Sequence, residues 1–298
     1  MTAALALRGR TLALTPGRPL LMGIVNAGPD SFSDTVRLDS IERCLAHARA
    51  LVAAGADLVD VGAESGVTHS AESAAEEEAA RVVPLVEALA ADGVVVSVDT
   101  YKAPVADAAL RAGASLINDV SGLRDPQLAT LAARDGAGLV VMHTRAAPKT
   151  ERFPEYDDVS ADVEAFLRER LAVARAAGLR DDQLVLDPGP DFAKTPAQTI
   201  TVLRDLERLR ALGLPLLLAV SRKYFVGAIT GRRPGERLAG TLAACGWSAD
   251  AGAAILRVHD VAAVRDYLDV QRVLRGEQEL GAFDGDDDAL KWIRPDIH

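Results

Sequence analysis

The sequence predicts a single (β/α)8 TIM barrel of the α/β class, preceded by a short N-terminal β-hairpin. Eight short apolar runs recur along the 298 residues, and segments with helical periodicity separate them. The runs are apolar throughout rather than alternating, which is typical of a parallel sheet covered by helices. No break in composition divides the chain, so one closed barrel is expected, with a doubly wound open sheet as the alternative.

Each strand of the predicted barrel rests on its own apolar run. The runs cover residues 21–25, 58–61, 94–98, 115–117, 139–142, 184–186, 216–220 and 254–256. Between them the chain carries Ala, Leu, Glu and Arg at a spacing of about 3.6 residues, as amphipathic helices do. Glycine, which often caps helix C-termini, follows four of these segments, at positions 55, 113, 178 and 213. Two shorter strands around residues 8–10 predict the hairpin.

The barrel is expected to fill residues 1–274 as one domain, and residues 275–298 form a C-terminal tail. A barrel of this type takes about 250 residues, so the length does not require a second domain. The acidic GDDD run of the tail is interpreted as a solvated stretch. The ALKWIRP segment is expected to dock on the barrel or on a neighbouring subunit.

The composition excludes several classes of function. The chain has 43 acidic and 33 basic residues, a formal net charge of −10, and no basic footprint for a nucleic-acid partner. No apolar run reaches the roughly 20 residues that cross a bilayer, and the N-terminus has no signal-peptide pattern. Cys44 and Cys245 each lie within a helical pattern, as expected of buried cysteines in a reducing compartment. The sequence therefore predicts a cytoplasmic protein without a nucleic-acid or membrane partner.

Polar and charged residues follow every predicted strand. In a barrel these positions surround one mouth, where active sites of this fold lie. Asp, Asn and Ser at such positions also cap helices, but capping explains Lys223, Arg257 and His259 poorly, so a functional mouth is expected. In chain order the strand-end residues are Asn26, Asp60, Glu64, Asp99, Asn118, Asp119, His143, Asp187, Ser221, Arg222, Lys223, Arg257 and His259.

A pocket for a flat heterocycle is expected at this mouth. Asp99, Asn118 and Asp187 come from the third, fourth and sixth strands and offer two acceptors and an amide. Such groups match the edge of a ring system with several N–H donors, and a buried carboxylate without such a partner would be costly. Lys223 on the seventh strand can donate to a ring nitrogen or carbonyl and partly balances the acids.

A phosphate pocket is expected beside the heterocycle, at the ends of the seventh and eighth strands. Arg257 and His259, supported by Lys223 or Arg222, lie where barrels commonly hold phosphate. Asn26, on the adjacent first strand, offers an oxygen to Mg²⁺, an ion that shares phosphate oxygens and keeps several waters. The two pockets together suit loss of a phosphate leaving group from a carbon attached to the heterocycle.

Seven segments form an ordered set within residues 21–261: MGIVNAGPDSFSD, DVGAES, SVDTYK, INDVSG, DPGPDFAKT, VSRKYFVG and RVHDV. They resemble the motifs of the dihydropteroate synthase family, in the family order. The resemblance implies a folate-pathway transferase that joins 6-hydroxymethyl-7,8-dihydropterin diphosphate to p-aminobenzoate and releases pyrophosphate. It also implies Mg²⁺ as the cofactor and a homodimer.

The resemblance further implies roles for the residues at matching positions. Pterin binding is expected from Asp99, Asn118, Asp187, Phe192 and Lys223. Catalysis is expected from Asn26, Lys223, Arg257 and His259. Of these, Asn26, Arg257 and His259 are expected to bind the diphosphate, and Asn26 to ligate Mg²⁺. The second substrate, an arylamine such as p-aminobenzoate, is expected at Asp30, Ser31, Phe32, Glu64, Ser65, Lys194, Ser221 and Arg222.

Two polar loops that are expected to cover the mouth, residues 26–40 and 63–73, depart from the family pattern. Gly28 stands where the family usually has Thr, and Gly66 and Val67 stand where it usually has Thr and Arg. Losing one Arg–phosphate contact costs about 1.5–3 kcal/mol, which is about tenfold to a hundredfold in rate unless another group compensates. Candidates for that compensation are Arg37, His69 and Arg145.

Asp191, where the family commonly has Gly, adds negative charge near the expected arylamine position. It would disfavour a carboxylate substrate unless a cation pairs with it. An active synthase with divergent loops is the favoured interpretation. The alternatives are a relative that uses another amine, a pterin-binding protein with little catalysis, and a methyltransferase of the related pterin-binding barrels. The SRK and RVHDV segments argue against the last, because they suit a diphosphate.

Overall fold

A computed structural model of the chain describes residues 4–28, 40–64, 73–150 and 152–280. The strands are β1 (Ala4–Leu7), β2 (Arg10–Ala13), β3 (Leu20–Asn26), β4 (Leu58–Gly62), β5 (Val96–Asp99), β6 (Leu116–Asp119), β7 (Gly138–Met142), β8 (Leu184–Asp187), β9 (Leu217–Leu218) and β10 (Ile255–Val258). The helices are α1 (Ile41–Ala53), α2 (Ala75–Ala91), α3 (Ala103–Ala112), α4 (Gln127–Asp135), α5 (Val159–Ala176), α6 (Pro196–Arg204), α7 (Leu206–Arg210), α8 (Tyr224–Thr230), α9 (Leu238–Asp250) and α10 (Val261–Leu274). Two short 3₁₀ helices span Asp181–Gln183 and Pro234–Glu236.

The eight strands β3–β10 form one parallel sheet that closes into the predicted barrel. Their spatial order is β8-β7-β6-β5-β4-β3-β10-β9, so each of the first six strands neighbours the next one along the chain. The ring closes between β8 and β9, where the N–H of Leu186 donates to the carbonyl of Pro215 at 2.9 Å. Strand β9 has only two residues, against five in the apolar run of the sequence. All eight predicted strands are confirmed, with ends shifted by at most two residues.

The predicted hairpin is also confirmed, and it covers the end of the barrel opposite the mouth. β1 and β2 pair antiparallel with Leu5 opposite Leu12. Leu5 and Leu7 are buried together with the apolar side chains that fill the barrel interior. Leu7 lies so close to Gly138, at the start of β7, that a β-carbon there would fall 2.6 Å from the leucine side chain. The hairpin therefore closes the barrel floor and leaves the carboxyl ends of the strands as the open end.

Local signals explain where the helices begin and end. The side chains of Ser40, Asp158 and Thr195 cap the first turns of α1, α5 and α6. Gly113 ends α3 with a φ of 116°, a left-handed conformation that favours glycine. The segment TITVLRDLERLRALG, expected as one helix, divides into α6 and α7 at Asp205, whose φ and ψ of −111° and 29° are not helical.

Helix α10 ends at Leu274, where the barrel was expected to end. The GDDD and ALKWIRP segments lie outside the described residues. Cys44 and Cys245 are both buried, and no disulfide joins them. Within the described ranges, no helix is long and apolar enough to cross a membrane.

Candidate active site

A cavity of about 530 Å³ opens at the carboxyl ends of the barrel strands. It is lined by all five residues expected to bind the heterocycle, Asp99, Asn118, Asp187, Phe192 and Lys223. The expected phosphate and second-substrate positions that also line it are Asn26, Glu64, Ser221, Arg222, Arg257 and His259. Asp30, Ser31, Phe32 and Ser65 lie outside the described residues. The structure thus gathers side chains from seven of the eight barrel strands and the loops that follow them into one site.

The alternation of side chains along a strand determines which residues point into this site. On β6, Leu116 belongs to the apolar cluster inside the barrel, so Asn118, two residues later, also faces inward. On β10, Ile255 faces the interior and Arg257 follows at the same spacing. The polar interior positions that this count gives include Asn26, Asp60, Ser97, Asp99, Asn118, Asp187, Ser221, Arg257 and His259.

The floor of the cavity is a hydrogen-bonded network around Arg257. Its Nε donates to Oδ2 of Asp60 at 2.6 Å, and its Nη2 donates to Oδ2 of Asp99 at 2.7 Å. The side-chain amide of Asn118 donates to the same oxygen of Asp60 at 2.9 Å. The guanidinium of Arg257 therefore binds the carboxylates of the floor. The sequence had instead grouped Arg257 with His259 in the phosphate pocket. Asp60, which is fully buried, anchors this arrangement, although the sequence placed it only among the strand-end residues of the mouth, without a binding role.

Burial leaves the two carboxylates of the floor in need of hydrogen-bond donors. It raises the pKa of Asp99 to about 7, although the nearby Arg257 guanidinium acts in the opposite direction. Burial also raises the pKa of Asp187, against a hydrogen bond from the N–H of Gly189 at 2.7 Å. A guest with N–H donors would stabilise the charged form of both acids.

Lys223 lies at the side of the cavity over an aromatic ring. Its Nζ is 4.3 Å from the centroid of Phe192, within the distance of a cation–π contact. Burial lowers the pKa of Lys223, while Asp191 and Asp187 act to raise it. Asp191 itself accepts the main-chain N–H of Phe225 at 3.2 Å and lies 3.2 Å from the hydroxyl of Thr199. The added negative charge of Asp191 is therefore held by these donors and balanced by Lys223.

A cationic wall adjoins the floor. The ring of His259 is held by Ser221, whose Oγ lies 2.9 Å from Nδ1. Arg222 forms an ion pair with Asp260, with Nη2 at 2.7 Å from the carboxylate. Burial lowers the pKa of His259 to about 3, and Arg222, Arg257 and Lys223 lower it further by repelling its proton. Positive charge is thus concentrated where an anion would be stabilised.

Glu64 lines the cavity after β4, in an ion-pair cluster that the sequence did not predict. Lys102 donates from Nζ to Glu64 at 2.5 Å and to the carbonyl of Ser73 at 2.7 Å, and it lies 2.9 Å from Glu78. Burial raises the pKa of Glu64, but Lys102 and Lys149 outweigh it and the net shift is downward. Lys102 thus holds Glu64, at the beginning of the loop 63–73, and Ser73 at its end.

Four residues lie elsewhere than the sequence suggested. Asp119 binds the main-chain N–H groups of the turn that follows it, at 2.8 and 2.5 Å, and so has the capping role that such residues often take. His143 and Lys194 are fully buried outside the cavity wall and contact each other. Arg145 pairs with Asp162 at 2.7 Å and stacks on a ring of α5, outside the cavity, so it does not replace the missing loop arginine. Arg37 and His69 lie outside the described residues.

The chain matches known proteins over most of its length. The sequence profile of the family described as pterin binding enzyme matches residues 22–259. A dihydropteroate synthase of Bacillus subtilis (strain 168) is 42% identical over 246 residues, which are 82% of this chain and 84% of the relative. The Xanthomonas albilineans dihydropteroate synthase with 4-aminobenzoic acid is 42% identical, with a TM-score of 0.84 over 92% of this chain and 99% of that one. The same enzyme in complex with 7,8-dihydropteroate is 43% identical, with a TM-score of 0.81 over 91% and 98%.

Proposed function

The chain belongs to the pterin binding enzyme family, among the dihydropteroate synthases, and on this premise we propose how its cavity carries out their reaction. The reaction joins 6-hydroxymethyl-7,8-dihydropterin diphosphate to p-aminobenzoate and releases pyrophosphate. The proposal rests on one observation, a cavity of about 530 Å³ that brings both halves of the site together. Its floor carries Asp99, Asn118 and Asp187, and the adjoining wall carries Lys223 and His259.

The pterin lies over the floor, with its ring N–H and amino groups donating to Asp99 and Asp187 and bonding to the amide of Asn118. Both carboxylates have pKa values that burial raises, so charge-assisted hydrogen bonds from the pterin stabilise their ionised forms. Lys223 donates to a ring nitrogen or carbonyl from the position that its contact with Phe192 defines. Together these groups fix the plane and the edge of the ring.

The diphosphate lies against the cationic wall. His259 has a pKa of about 3 because burial and Arg222, Arg257 and Lys223 disfavour a further positive charge. A bound diphosphate reverses that balance, raises the pKa of His259 and receives hydrogen bonds from it. The C–O bond then breaks with its electron pair leaving on the diphosphate, and the positive methylene lies between the carboxylates. The aniline nitrogen forms the C–N bond with its lone pair and loses one proton.

Mg²⁺ is proposed as the partner of the diphosphate. Among the described residues no group of three or more His, Cys, Asp or Glu side chains is arranged to hold a metal ion. Asn26 lines the cavity and offers one side-chain oxygen. A single protein ligand of this type fits Mg²⁺, which is bound mainly by phosphate oxygens and water. When bound, the ion neutralises charge on the leaving diphosphate. Calorimetry should show much tighter binding of the pterin diphosphate with Mg²⁺ than without it, and equal affinities would contradict the role of Asn26.

A cytoplasmic homodimer is proposed for the assembly. Ile229, Trp247 and Val270 on the neighbouring helices α8, α9 and α10 are 65%, 55% and 60% exposed, an apolar surface of the kind that marks interfaces. Trp247→Glu is expected to shift the sedimentation coefficient from dimer to monomer. Ile41→Glu, on α1 and 40% exposed, is the matched control and should leave the dimer intact. A monomeric wild type would contradict the proposal.

A pyrophosphate-release assay tests the proposed reaction. With the pterin diphosphate and Mg²⁺ present, release is expected only when p-aminobenzoate is added, in a one-to-one ratio with dihydropteroate. Release that requires a different amine would contradict the substrate, and no release with any amine would contradict the synthase activity. The assay separates the active synthase from the two alternatives that the divergent loops left open.

A further inference from the structure

Lys194, which was expected at the second-substrate position, is buried away from the cavity. It is 0% exposed, and its Nζ lies 2.9 Å from the carbonyl of Gly189, 3.0 Å from the carbonyl of Phe192 and 2.7 Å from Nδ1 of His143. The carbonyl of His143 lies further away, at 3.4 Å. The three shorter contacts match the three donors of an ammonium group. Burial lowers the pKa of Lys194 to about 7, and in its charged form the ammonium stabilises the conformation of the chain around it through these hydrogen bonds.

A second layer of side chains holds the ammonium from behind. Because an ammonium can only donate, Nδ1 of His143 accepts and Nε2 carries the hydrogen that it donates to Asp162 at 2.9 Å. Asp162 is itself fixed by Arg145 through two hydrogen bonds of 2.7 and 3.0 Å. The ring of His143 packs edge-on against Phe166, with centroids 5.0 Å apart. These contacts leave the imidazole a single orientation.

The loop that Lys194 binds has a backbone that needs such support. Asp191 and Ala193 have φ values of 66° and 49°, in the left-handed region that non-glycine residues seldom adopt. Strain of this kind persists only when the surroundings impose it. Gly189 has a φ of 66°, and a β-carbon there would lie 2.1 Å from the carbonyl oxygen of His143. The loop is therefore pressed onto the strand that carries His143.

The strained loop carries Phe192 into the cavity, where its ring lies against Lys223. We propose that Lys194 is a positioning residue that acts through Phe192: it holds the carbonyls of Gly189 and Phe192 so that the ring fixes the Lys223 ammonium beside the pterin. His143 and Asp162 serve the same purpose one step further from the substrate. The inference rests on the proposed function, because it assigns the loop to the same reaction.

A double-mutant cycle with Phe192 tests this role. Lys194→Met is expected to lower kcat/KM for the pterin diphosphate by about a hundredfold, the loss that follows a misplacement of about 1 Å near reacting groups. Phe192→Ala is expected to cause a loss of similar size. In the Phe192→Ala background, Lys194→Met should lower kcat/KM by less than about threefold further, because its effect is transmitted by the missing ring.

Losses that multiply across the cycle would overturn the inference, since they would show that Lys194 acts independently of Phe192. An unchanged kcat/KM in Lys194→Met would overturn it as well. If Lys194→Met does not fold, His143→Gln in the same two backgrounds replaces it, with circular dichroism as the check on folding. Arg168→Met, which breaks only an exposed ion pair on α5, is the control and should keep wild-type kinetics. A wild type that makes no dihydropteroate would instead contradict the proposed function.

Discussion

Replacing Asp60 with leucine removes the anchor of the cavity floor. The substitution deletes the oxygen that accepts from Arg257 at 2.6 Å and from Asn118 at 2.9 Å. Breaking a buried ion pair from one side typically costs about 3–5 kcal/mol, because the remaining charge is left without its partner. Two features reduce that cost. Arg257 keeps Asp99 at 2.7 Å, and Oδ1 of Asp60 has no hydrogen-bond partner among the described residues, so its burial is already unfavourable. The expected loss for Asp60→Leu is therefore about 3 kcal/mol, at the lower end of the range.

Urea unfolding followed by circular dichroism measures this loss. Asp107→Leu is the matched control, because Asp107 forms only solvent-screened pairs, with Arg134 at 2.7 Å and Arg111 at 2.9 Å, and its loss should be much smaller. Adding Arg257→Leu to Asp60→Leu should cause a further loss, because the buried Asp99 then loses the guanidinium that lies 2.7 Å from its carboxylate. A loss below about 1 kcal/mol for Asp60→Leu, equal to the control, would refute the assignment of Asp60 as the anchor.

Lys223→Met and Asp187→Asn should each weaken binding of the pterin diphosphate at least tenfold in calorimetry, because each removes a charged partner worth about 1.5–3 kcal/mol. Unchanged affinities would show that the pterin does not contact these residues. His143→Gln should remove acid sensitivity. Burial holds the pKa of His143 at about 3, below its ordinary 6.5, so the unfolded chain takes up a proton that the folded chain does not. Stability is then lost as the pH falls from 6.5 towards 3, by about 1.4 kcal/mol per pH unit in the wild type relative to the variant. Urea titrations from pH 7 to pH 4 measure the free energy of unfolding of both proteins. The same dependence on pH in the wild type and in His143→Gln would contradict this prediction. Val67→Arg, in the loop outside the described residues, should raise turnover with p-aminobenzoate by about tenfold; an unchanged rate would mean that another cation already fills that role.

The barrel could be predicted because its signals are local. Each apolar run of a buried parallel strand and each helical period stands in the sequence without reference to distant residues. The strand β9 shows the limit of that reading, because the apolar run of residues 216–220 forms only two paired residues. The division of α6 from α7 at Asp205 was likewise absent from the helical periodicity.

The site could be predicted in part, because the ends of parallel strands meet at one mouth. Strand ends alone do not say which way a side chain points, and for that reason Asp119 and His143 were included although both face away from the cavity. A count by twos from the interior residues Leu58, Leu116 and Val140 would have kept Asp60 and excluded the other two. The buried contacts of Lys194 depend on the strained conformation of its loop, and no local pattern in the sequence predicts that conformation.

The ion-pair partners could not be predicted at all. Arg257 lies 197 residues from Asp60 in the chain, and it reaches the carboxylates only because β10 pairs with β3 in the barrel. Lys102 and Glu78 meet Glu64 in the same way, across three neighbouring elements. Side-chain pairing of this kind follows from the packed fold and not from spacing along the sequence.

Product formation by the wild type and by Lys223→Met tests the central claim most directly. The two proteins, with Arg168→Met as control, are incubated with 6-hydroxymethyl-7,8-dihydropterin diphosphate, p-aminobenzoate and Mg²⁺, and 7,8-dihydropteroate is quantified by mass spectrometry. The wild type and the control should form dihydropteroate at equal rates. The rate of Lys223→Met should be at least tenfold lower, as expected when a charged hydrogen bond worth about 1.5–3 kcal/mol is removed. A wild type that forms no dihydropteroate, or a Lys223→Met variant that forms it at the wild-type rate, would contradict the account.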